Sequence, residues 1–453
     1  STQGYSSAAS DVYKRQFSGI ALIIYYILPC GIRKYLLLAY SFMFYFICDF
    51  GFAWLILLLT LWSFYYGKFL VSGSRIRIAG GIIPVILILC IFKMQFLFCR
   101  GNIGIMPLGL SYYSFKIISY LADVYRKKRK PEENLVDYAV YVSLFTQIIC
   151  GPISRSEEIT EQLKQKMKYN SDLFAQGILL IISGLYKKMV IADRLSGYVN
   201  TVFGNYRNYS GLTLWMGAFC YTIQIYCDFA GYSEIVIGVT NLFGITCRKN
   251  FDMPYFSGSI GEFWRRWHIS LSSFLRDYVY IPLGGNRCSR IRKKINILCT
   301  FIISGFWHGE GFKYLAWGIW HGLWNLVEDN QKDKHKIIKT FLTFICVMLG
   351  WVLFRADSIR DAGGFISGMF CRLTITPNAV IETILPFTGD YSCLAVFSSI
   401  MLCIVILAIF EWRALYAAKL DNEKENKVRS IIYLAAIVFF ASVGQNSFLY
   451  ANY

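Results

Sequence analysis

Long apolar runs, separated by short clusters of charge, are the feature of this sequence that most limits its possible folds. Such runs recur from residue 35 to residue 443, and about 20 apolar residues suffice to cross a bilayer as a helix. Hydrophobic residues make up 56% of the 453-residue chain and charged residues 16%, against about 45–50% and about 25% in soluble proteins. The sequence therefore predicts an all-α polytopic membrane protein, with about ten or eleven transmembrane helices.

The first 16 residues differ from the rest of the chain. They are polar, contain no signal-peptide core and end abruptly where the apolar pattern starts at Phe17. We interpret residues 1–16 as a non-native or disordered leader. Residues 17–453 are predicted to form a single integral-membrane domain, with its functional core at about residues 226–327.

The formal net charge of +18 does not predict nucleic-acid binding. Lys and Arg occur in short clusters between apolar runs, at Arg126–Lys130, Lys187–Lys188 and Arg290–Lys294, and no nucleic-acid motif accompanies them. Such clusters are typical of loops that contact anionic head groups. The 14 cysteines contain no C-x-x-C pair and the histidines lack i, i+4 spacing, so neither a disulfide framework nor a metal site is predicted.

The stretch Phe263–Asn325 contains three of the four histidines of the chain: His268, His308 and His321. His308 and His321 lie in apolar, aromatic-rich runs, where an ionisable side chain is costly and indicates a functional site. His268 lies in a basic, aromatic segment typical of the membrane interface. It precedes His308 by 40 residues, which allows the chain to leave the membrane and return with the two imidazoles together.

Two segments of this stretch resemble a known family. They read FWRRWHISLSSFLRDYVYIPLGGNR from Phe263 and SGFWHGEGFKYLAWGIWHG from Ser304. Both are similar to the membrane-bound O-acyltransferases, in particular to the bacterial, polysaccharide-acylating branch of the alginate O-acetylation proteins. The resemblance implies a bundle of transmembrane helices with interfacial and re-entrant helices around a central tunnel.

The resemblance also implies roles for two histidines: His308 would be the catalytic residue and His268 would line the same tunnel. A neutral imidazole suits a general base near pH 7. We therefore expect His308 to take the proton of an acceptor hydroxyl, while His268 orients the acceptor or polarises the acyl carbonyl. His321 either lines the tunnel or packs in the core.

Five further residues are predicted either to line the tunnel or to support the structure around it. Trp307 would line the tunnel, and Arg276 and Asp277 would form a buried pair that fixes the interfacial helices. Asp228 and Glu234 lie in an otherwise apolar segment. They either shape a polar cavity or tie together helices broken between residues 226 and 234.

The expected activity is an O-acyltransferase of a bacterial cytoplasmic membrane. The acyl group, expected to be acetyl, would come from a cytoplasmic thioester such as acetyl-CoA, with no tightly bound cofactor. Hydroxyls of an extracytoplasmic polysaccharide or cell-wall polymer would receive it, directly or through a secreted or membrane-tethered partner protein.

Two alternatives stay open. D-alanyl transfer to teichoic acid is the nearer one, although the Ile281–Arg287 segment favours the polysaccharide branch. A transporter or flippase would use the histidines as proton relays, but the sequence lacks the repeated halves common in transporters.

Overall fold

A computed structural model of the chain describes residues 19–70, 74–93, 106–148, 151–309, 311–327, 336–388, 392–416 and 422–442. Within these ranges the secondary structure is helical, without a strand, which confirms the predicted all-α polytopic class. The leader 1–16 lies outside the described residues, so its interpretation stays a prediction, as does the single domain 17–453.

The helices are numbered in chain order. The first eight are α1 (19–27), α2 (Arg33–Cys48), α3 (Ala53–Phe69), α4 (Arg75–Lys93), α5 (Leu110–Tyr125), α6 (Leu135–Ser143), α7 (Ser156–Lys164) and α8 (Ser171–Leu185). Next come α9 (Asp193–Gly204), α10 (Gly211–Leu242), α11 (Ile260–Arg266), α12 (Ile269–Leu275), α13 (Arg290–His308), α14 (Phe312–Val327), α15 (Lys336–Arg355), α16 (Ile359–Cys371), α17 (Pro377–Ile384), α18 (Cys393–Tyr416) and α19 (Asn422–Phe440).

The chain forms two compact units. The first comprises Ser1–Ile181 and Ser233–Lys249, and the second comprises Ile182–Tyr232 and Asn250–Tyr453. His268, His308 and His321 belong to the second unit. The fold of that unit therefore positions the candidate site.

Five helical segments of the described chain are long and apolar enough to cross a membrane. They are Phe50–Phe69, Arg75–Lys93, Ser171–Gly204, Lys336–Arg355 and Cys393–Leu415. On α4 the side chains of Ile83, Leu87 and Ile91 form one stripe and are 51%, 54% and 62% exposed. Such an apolar face is suited to lipid. The total of ten or eleven crossings stays a prediction.

The predicted break between residues 226 and 234 is wrong. Helix α10 runs without interruption through this segment, so Asp228 and Glu234 do not tie together broken helices. Gly231 allows close packing within the second unit, because a Cβ there would lie 2.8 Å from the carbonyl oxygen of Gly184. The glycine thus allows a close helix contact and is not a helix breaker.

The prediction that Lys187 and Lys188 belong to a charged loop is also wrong. Both lie in the π-helix Tyr186–Ala192, which joins α8 to α9 without a break. They are only 5% and 6% exposed. Burial is possible because carboxylates from other helices lie beside them. Lys187 Nζ lies 3.6 Å from Glu411 Oε1, and the carboxylates beside Lys188 are described below.

Candidate active site

Helices α13 and α14 form a tightly packed hairpin that carries two of the histidines. A Cβ at Gly305 would lie 2.3 Å from the carbonyl oxygen of Tyr314. One at Gly318 would lie 2.4 Å from that of Phe301. Glycine at both positions therefore lets the two backbones approach more closely than any other residue would allow.

His308 is the last residue of α13 and is 2% exposed. Its ring lies 4.7 Å from Trp307, 5.0 Å from Trp317 and 5.4 Å from Phe354, measured between ring centroids. The next helix, α14, starts only at Phe312. His308 is thus at a helix end within an aromatic enclosure.

His268 lies between the short helices α11 and α12, in the left-handed conformation with φ 44° and ψ 54°. A non-glycine residue rarely adopts this conformation, and such backbone strain is concentrated at functional sites. The side chain is 1% exposed. The strained turn therefore directs this imidazole into the protein interior.

Asn250 determines which nitrogen of His268 carries the proton. Asn250 Oδ1 lies 3.1 Å from His268 Nδ1 and accepts hydrogen bonds from the backbone N–H and the hydroxyl of Ser270, at 3.2 and 2.9 Å. The Ser270 N–H is always a donor, so the amide oxygen must face this group. Nδ1 of His268 then donates to Asn250, which leaves Nε2 as a proton acceptor.

The ring of His268 is held neutral as well. His268 lies outside the five candidate spans, and burial lowers its pKa from 6.5 to about 3. Nε2 has no hydrogen-bond partner among the described residues. His268 therefore presents a basic nitrogen in a buried position.

His268 and His308 both pack against the ring of Trp307. The ring centroid of Trp307 is 6.3 Å from that of His268 and 4.7 Å from that of His308. The side chain of Trp307 is 9% exposed. The two histidines are 40 residues apart in sequence, and the fold of the second unit places both against one indole.

His321 lies within α14 and is 0% exposed. Its ring centroid is 5.1 Å from that of Trp317 and 5.2 Å from that of Trp264. In the part of the chain that the structure describes, neither of its nitrogens has a hydrogen-bond partner. A Cβ at Gly350 would lie 2.6 Å from Nε2, so this glycine provides the space for the imidazole.

Three indole N–H groups around these histidines are further buried donors. The Nε1 atoms of Trp264, Trp317 and Trp351 have no acceptor among the residues described. Trp317 contacts both His308 and His321, and Trp351 lies 6.0 Å from Trp317. A buried donor without an acceptor costs about 1–3 kcal/mol, so the cluster is chemically suited to a ligand with an acceptor oxygen.

Arg276 and Asp277 form an ion pair, with Nε of Arg276 2.8 Å from Oδ1 of Asp277. The prediction that this pair is buried is wrong, since the Arg276 side chain is 64% exposed. Both residues lie in a π-helix, Arg276–Tyr280, that follows α12. Arg276 instead lines a cavity of about 330 Å³ that Trp264 and Arg265 also border.

Asp228 belongs to a buried cluster of charges, here called the Lys188 cluster. Lys188 Nζ lies 2.7 Å from Asp228 Oδ1 and 2.9 Å from Asp193 Oδ1. All three side chains are 7% exposed or less. One helical step along α10, Phe229 packs 4.7 Å from the His268 ring. Asp228 thus anchors the part of α10 that packs against His268. Glu234 belongs to the first unit and not to the histidine cluster.

No group of three His, Cys, Asp or Glu side chains in the described ranges could hold a metal ion. The histidines are surrounded by rings and by an amide. The arrangement is therefore suited to proton transfer by imidazole.

The sequence analysis missed Asn250, Trp317 and Lys188. Asn250 is 18 residues from His268 and no motif joins them. Lys188 was assigned to a loop because charge is normally solvated. Trp317 could have been found from the sequence, since it lies four residues before His321, on the same face of a helix.

Comparison with known proteins shows similarity over most of the chain. Residues 124–333 match the membrane-bound O-acyltransferase family. The chain is 35% identical to a probable alginate O-acetylase of Pseudomonas syringae pv. tomato over 391 residues, covering 80% of the chain and 74% of the relative. It is 31% identical to a peptidoglycan O-acetyltransferase of Helicobacter pylori, covering 77% and 75%.

A more distant similarity links the chain to a teichoic acid D-alanyltransferase of Streptococcus thermophilus. The identity is 26%, covering 65% of the chain and 75% of the relative.

Proposed function

Because the chain belongs to the membrane-bound O-acyltransferase family, we propose that it acetylates hydroxyls of an extracytoplasmic polysaccharide or cell-wall polymer. The donor is a cytoplasmic thioester, with acetyl-CoA as co-substrate and no tightly bound cofactor. The protein acts as a multi-pass enzyme of the bacterial cytoplasmic membrane. The names of the alginate and peptidoglycan O-acetylating relatives support this acceptor class.

One observation carries the chemistry: two buried imidazoles, His308 and His268, contact the same indole of Trp307. His308 takes the proton of the acceptor hydroxyl while the hydroxyl oxygen attacks the thioester carbonyl carbon. The C–S bond then breaks, and the thiolate leaves with the proton that His308 returns. No covalent bond to the enzyme is needed.

Two roles were predicted for His268: to orient the acceptor or to polarise the acyl carbonyl. Its hydrogen bond with Asn250 supports the first. With its proton on Nδ1, His268 can only accept at Nε2, so it cannot donate to an acyl carbonyl. His268 therefore orients the acceptor by accepting a hydrogen bond from a group other than the attacking hydroxyl, whose single proton goes to His308. The buried indole N–H of Trp317 is the better candidate to stabilise the oxyanion, because it lies beside His308 and has a free donor.

The cavity bordered by Trp264 is suited to the donor. Trp264 contacts His321 on one side, and Arg265 and Arg276 also line the cavity. Guanidinium groups bind phosphate oxygens well, and coenzyme A carries phosphates at the end of an arm that ends in the thioester. A secreted or membrane-tethered partner protein takes part in the final transfer, and its serine or the polymer itself is the first acceptor.

The proposal is tested by measuring polymer-bound ester in cells that carry the wild type, His308→Ala or His335→Ala. His335 is the matched control, because it is the remaining histidine and lies in the charged sequence Lys332–Lys336. We expect acetate to be released from the polymer of the wild type and of His335→Ala, and to be lost in His308→Ala at equal membrane abundance.

Two results would contradict the proposal. Release of D-alanine instead of acetate would assign the chain to teichoic acid modification, the activity of its more distant relative. Equal ester in all three strains would remove His308 from the chemistry.

A further inference from the structure

A polar pocket of about 460 Å³ lies at the C-terminal end of α15. Its volume is in the range of small-molecule binding sites. Phe354 and Arg355 are neighbours at this helix end, and while Phe354 packs 5.4 Å from the His308 ring, Arg355 lines the pocket. The pocket thus opens one residue away from a side chain that contacts the predicted base.

The pocket is rich in hydrogen-bonding groups of both kinds. Three asparagines, Asn200, Asn205 and Asn208, line it together with the aromatic ring of Tyr206. Arg355 donates to Asn200 Oδ1 at 2.8 Å. Within the described ranges Arg355 has no carboxylate within 4.0 Å, so several of its N–H groups remain available to a ligand.

The charges of the pocket cancel. Two basic residues, Arg207 and Arg355, and two acidic ones, Asp357 and Asp361, line it, and the Arg207 guanidinium lies 3.6 Å from the Asp361 carboxylate. A neutral pocket gives little long-range attraction to a highly charged partner. Recognition here must depend on short hydrogen bonds and on contact with a ring.

The distribution of basic residues indicates which side of the membrane the pocket faces. Helix α15 is a candidate span that runs from Lys336 to Arg355, and both it and α13 end beside the contact between His308 and Phe354. The starts of α13 and α15 are strongly basic, with Arg290, Arg292, Lys293, Lys294, Lys336 and Lys339. Basic loops favour the cytoplasm, so the pocket at the opposite end of α15 faces the outside.

We propose that this pocket holds a sugar unit of the acceptor polymer on the extracytoplasmic side. This inference rests on the proposed function, because it assigns a binding site to the polymer that would be acetylated. Sugar hydroxyls donate and accept at once, which matches the amides, carboxylates and guanidinium groups of the pocket. The apolar face of a sugar ring can pack on Tyr206. A sugar bound here places its neighbours in the polymer close to His308.

A protein partner fits this pocket less well. Protein interfaces bury about 800 Å² on each side and centre on large apolar or aromatic anchors. The pocket instead is concave and its exposed groups are mostly amides and charges. A docked partner protein is kept as an outcome of the test.

The experiment uses the full chain in lipid nanodiscs, without donor. Binding of soluble alginate oligosaccharides and of peptidoglycan glycan fragments is measured by equilibrium dialysis for the wild type, Arg355→Ala, Asn208→Ala and Arg360→Ala. Asn208 is exposed, so its replacement leaves the fold intact. Arg360 is the matched control, because it is exposed beside the pocket but does not line it.

We expect at least one glycan to bind the wild type and Arg360→Ala equally, and about tenfold more weakly to Arg355→Ala and Asn208→Ala, the effect of about one hydrogen bond to a charged or polar group. In acetyl transfer, KM for the glycan should rise by a similar factor while kcat is kept. Equal binding by all four proteins, or binding by none, would overturn the proposal. So would loss of a co-purifying partner protein from the two variants with glycan binding unchanged. Pocket-dependent glycan binding without any acetyl transfer would instead refute the proposed function alone.

Discussion

Replacement of Asn250 by alanine should reduce activity through His268 without touching a substrate. Asn250 is 1% exposed, and three hydrogen bonds of 3.1, 3.2 and 2.9 Å end on its side-chain oxygen. Asn250→Ala removes all three and leaves buried donors behind, at a cost of about 1–3 kcal/mol each. The free energy of unfolding should therefore fall by about 3 kcal/mol or more.

The catalytic effect should be separable from this loss of stability. Without Asn250 the proton of His268 can move to Nε2, and the acceptor then loses the hydrogen bond that it donates to this nitrogen. The loss of one neutral hydrogen bond, about 1–1.5 kcal/mol, corresponds to about a tenfold lower kcat. Asn250→Asp keeps an acceptor at this position and should recover most of the activity.

The assay is acetyl transfer from acetyl-CoA by the protein in nanodiscs, below the melting temperature of every variant. Asn296→Ala is the control, since Asn296 is a buried amide on α13, also 1% exposed, whose side chain donates to Cys288 Sγ at 3.6 Å. Wild-type kcat in Asn250→Ala would refute the argument. An equal loss in Asn296→Ala would also refute it, because the effect would then come from lost stability alone.

Two further substitutions test the packing of the second unit. Lys188→Met leaves two buried carboxylates without their cation, so the free energy of unfolding should fall by about 3–5 kcal/mol. Thermal unfolding measures this, and an unchanged melting temperature would show that the Lys188 cluster is not a buried ionic network. Gly318→Ala brings a methyl group to 2.4 Å from the Phe301 carbonyl oxygen, whereas Gly363 has nothing within 4 Å. Gly318→Ala should therefore lower the free energy of unfolding by about 1–3 kcal/mol and reduce acetyl transfer, whereas Gly363→Ala should change neither. Equal melting temperatures for the two variants would contradict the close packing of α13 and α14.

The sequence predicted the fold class and the histidine-containing stretch for a simple physical reason. Apolar runs have to be helical in a bilayer, because the backbone has no other hydrogen-bond partners there. Histidines inside such runs stand out, since few ionisable groups are tolerated at that depth. The positions of His308 and His321 could therefore be singled out from the sequence alone.

Two errors of the sequence analysis, on Lys188 and on the segment 226–234, share one cause: a partner far away in the chain overrides the local signal. Lys188 looked solvated, but its partner Asp228 is 40 residues distant. The acidic and glycine residues of α10 looked like a break, yet Gly231 packs against Gly184 and Asp228 is neutralised by Lys188. Neither contact can be inferred from neighbouring residues alone.

The geometry at His268 also depends on residues distant in sequence, so it could not be predicted. Its left-handed backbone is rare for a histidine, and its tautomer depends on Asn250, which no motif connects to it. The pocket at the end of α15 is built from two separate segments of the second unit, residues 200–208 and 355–365. Only the folded chain brings such groups together.

The central claim is that the imidazole of His308 is the base. Its most direct test is the rate of acetyl transfer from radiolabelled acetyl-CoA to a hydroxyl acceptor by purified wild type, His308→Ala and His335→Ala at equal protein concentration. General base catalysis predicts a loss of about 10²–10⁴-fold in kcat for His308→Ala and none for His335→Ala. A His308→Ala rate within a few-fold of the wild type would contradict the account.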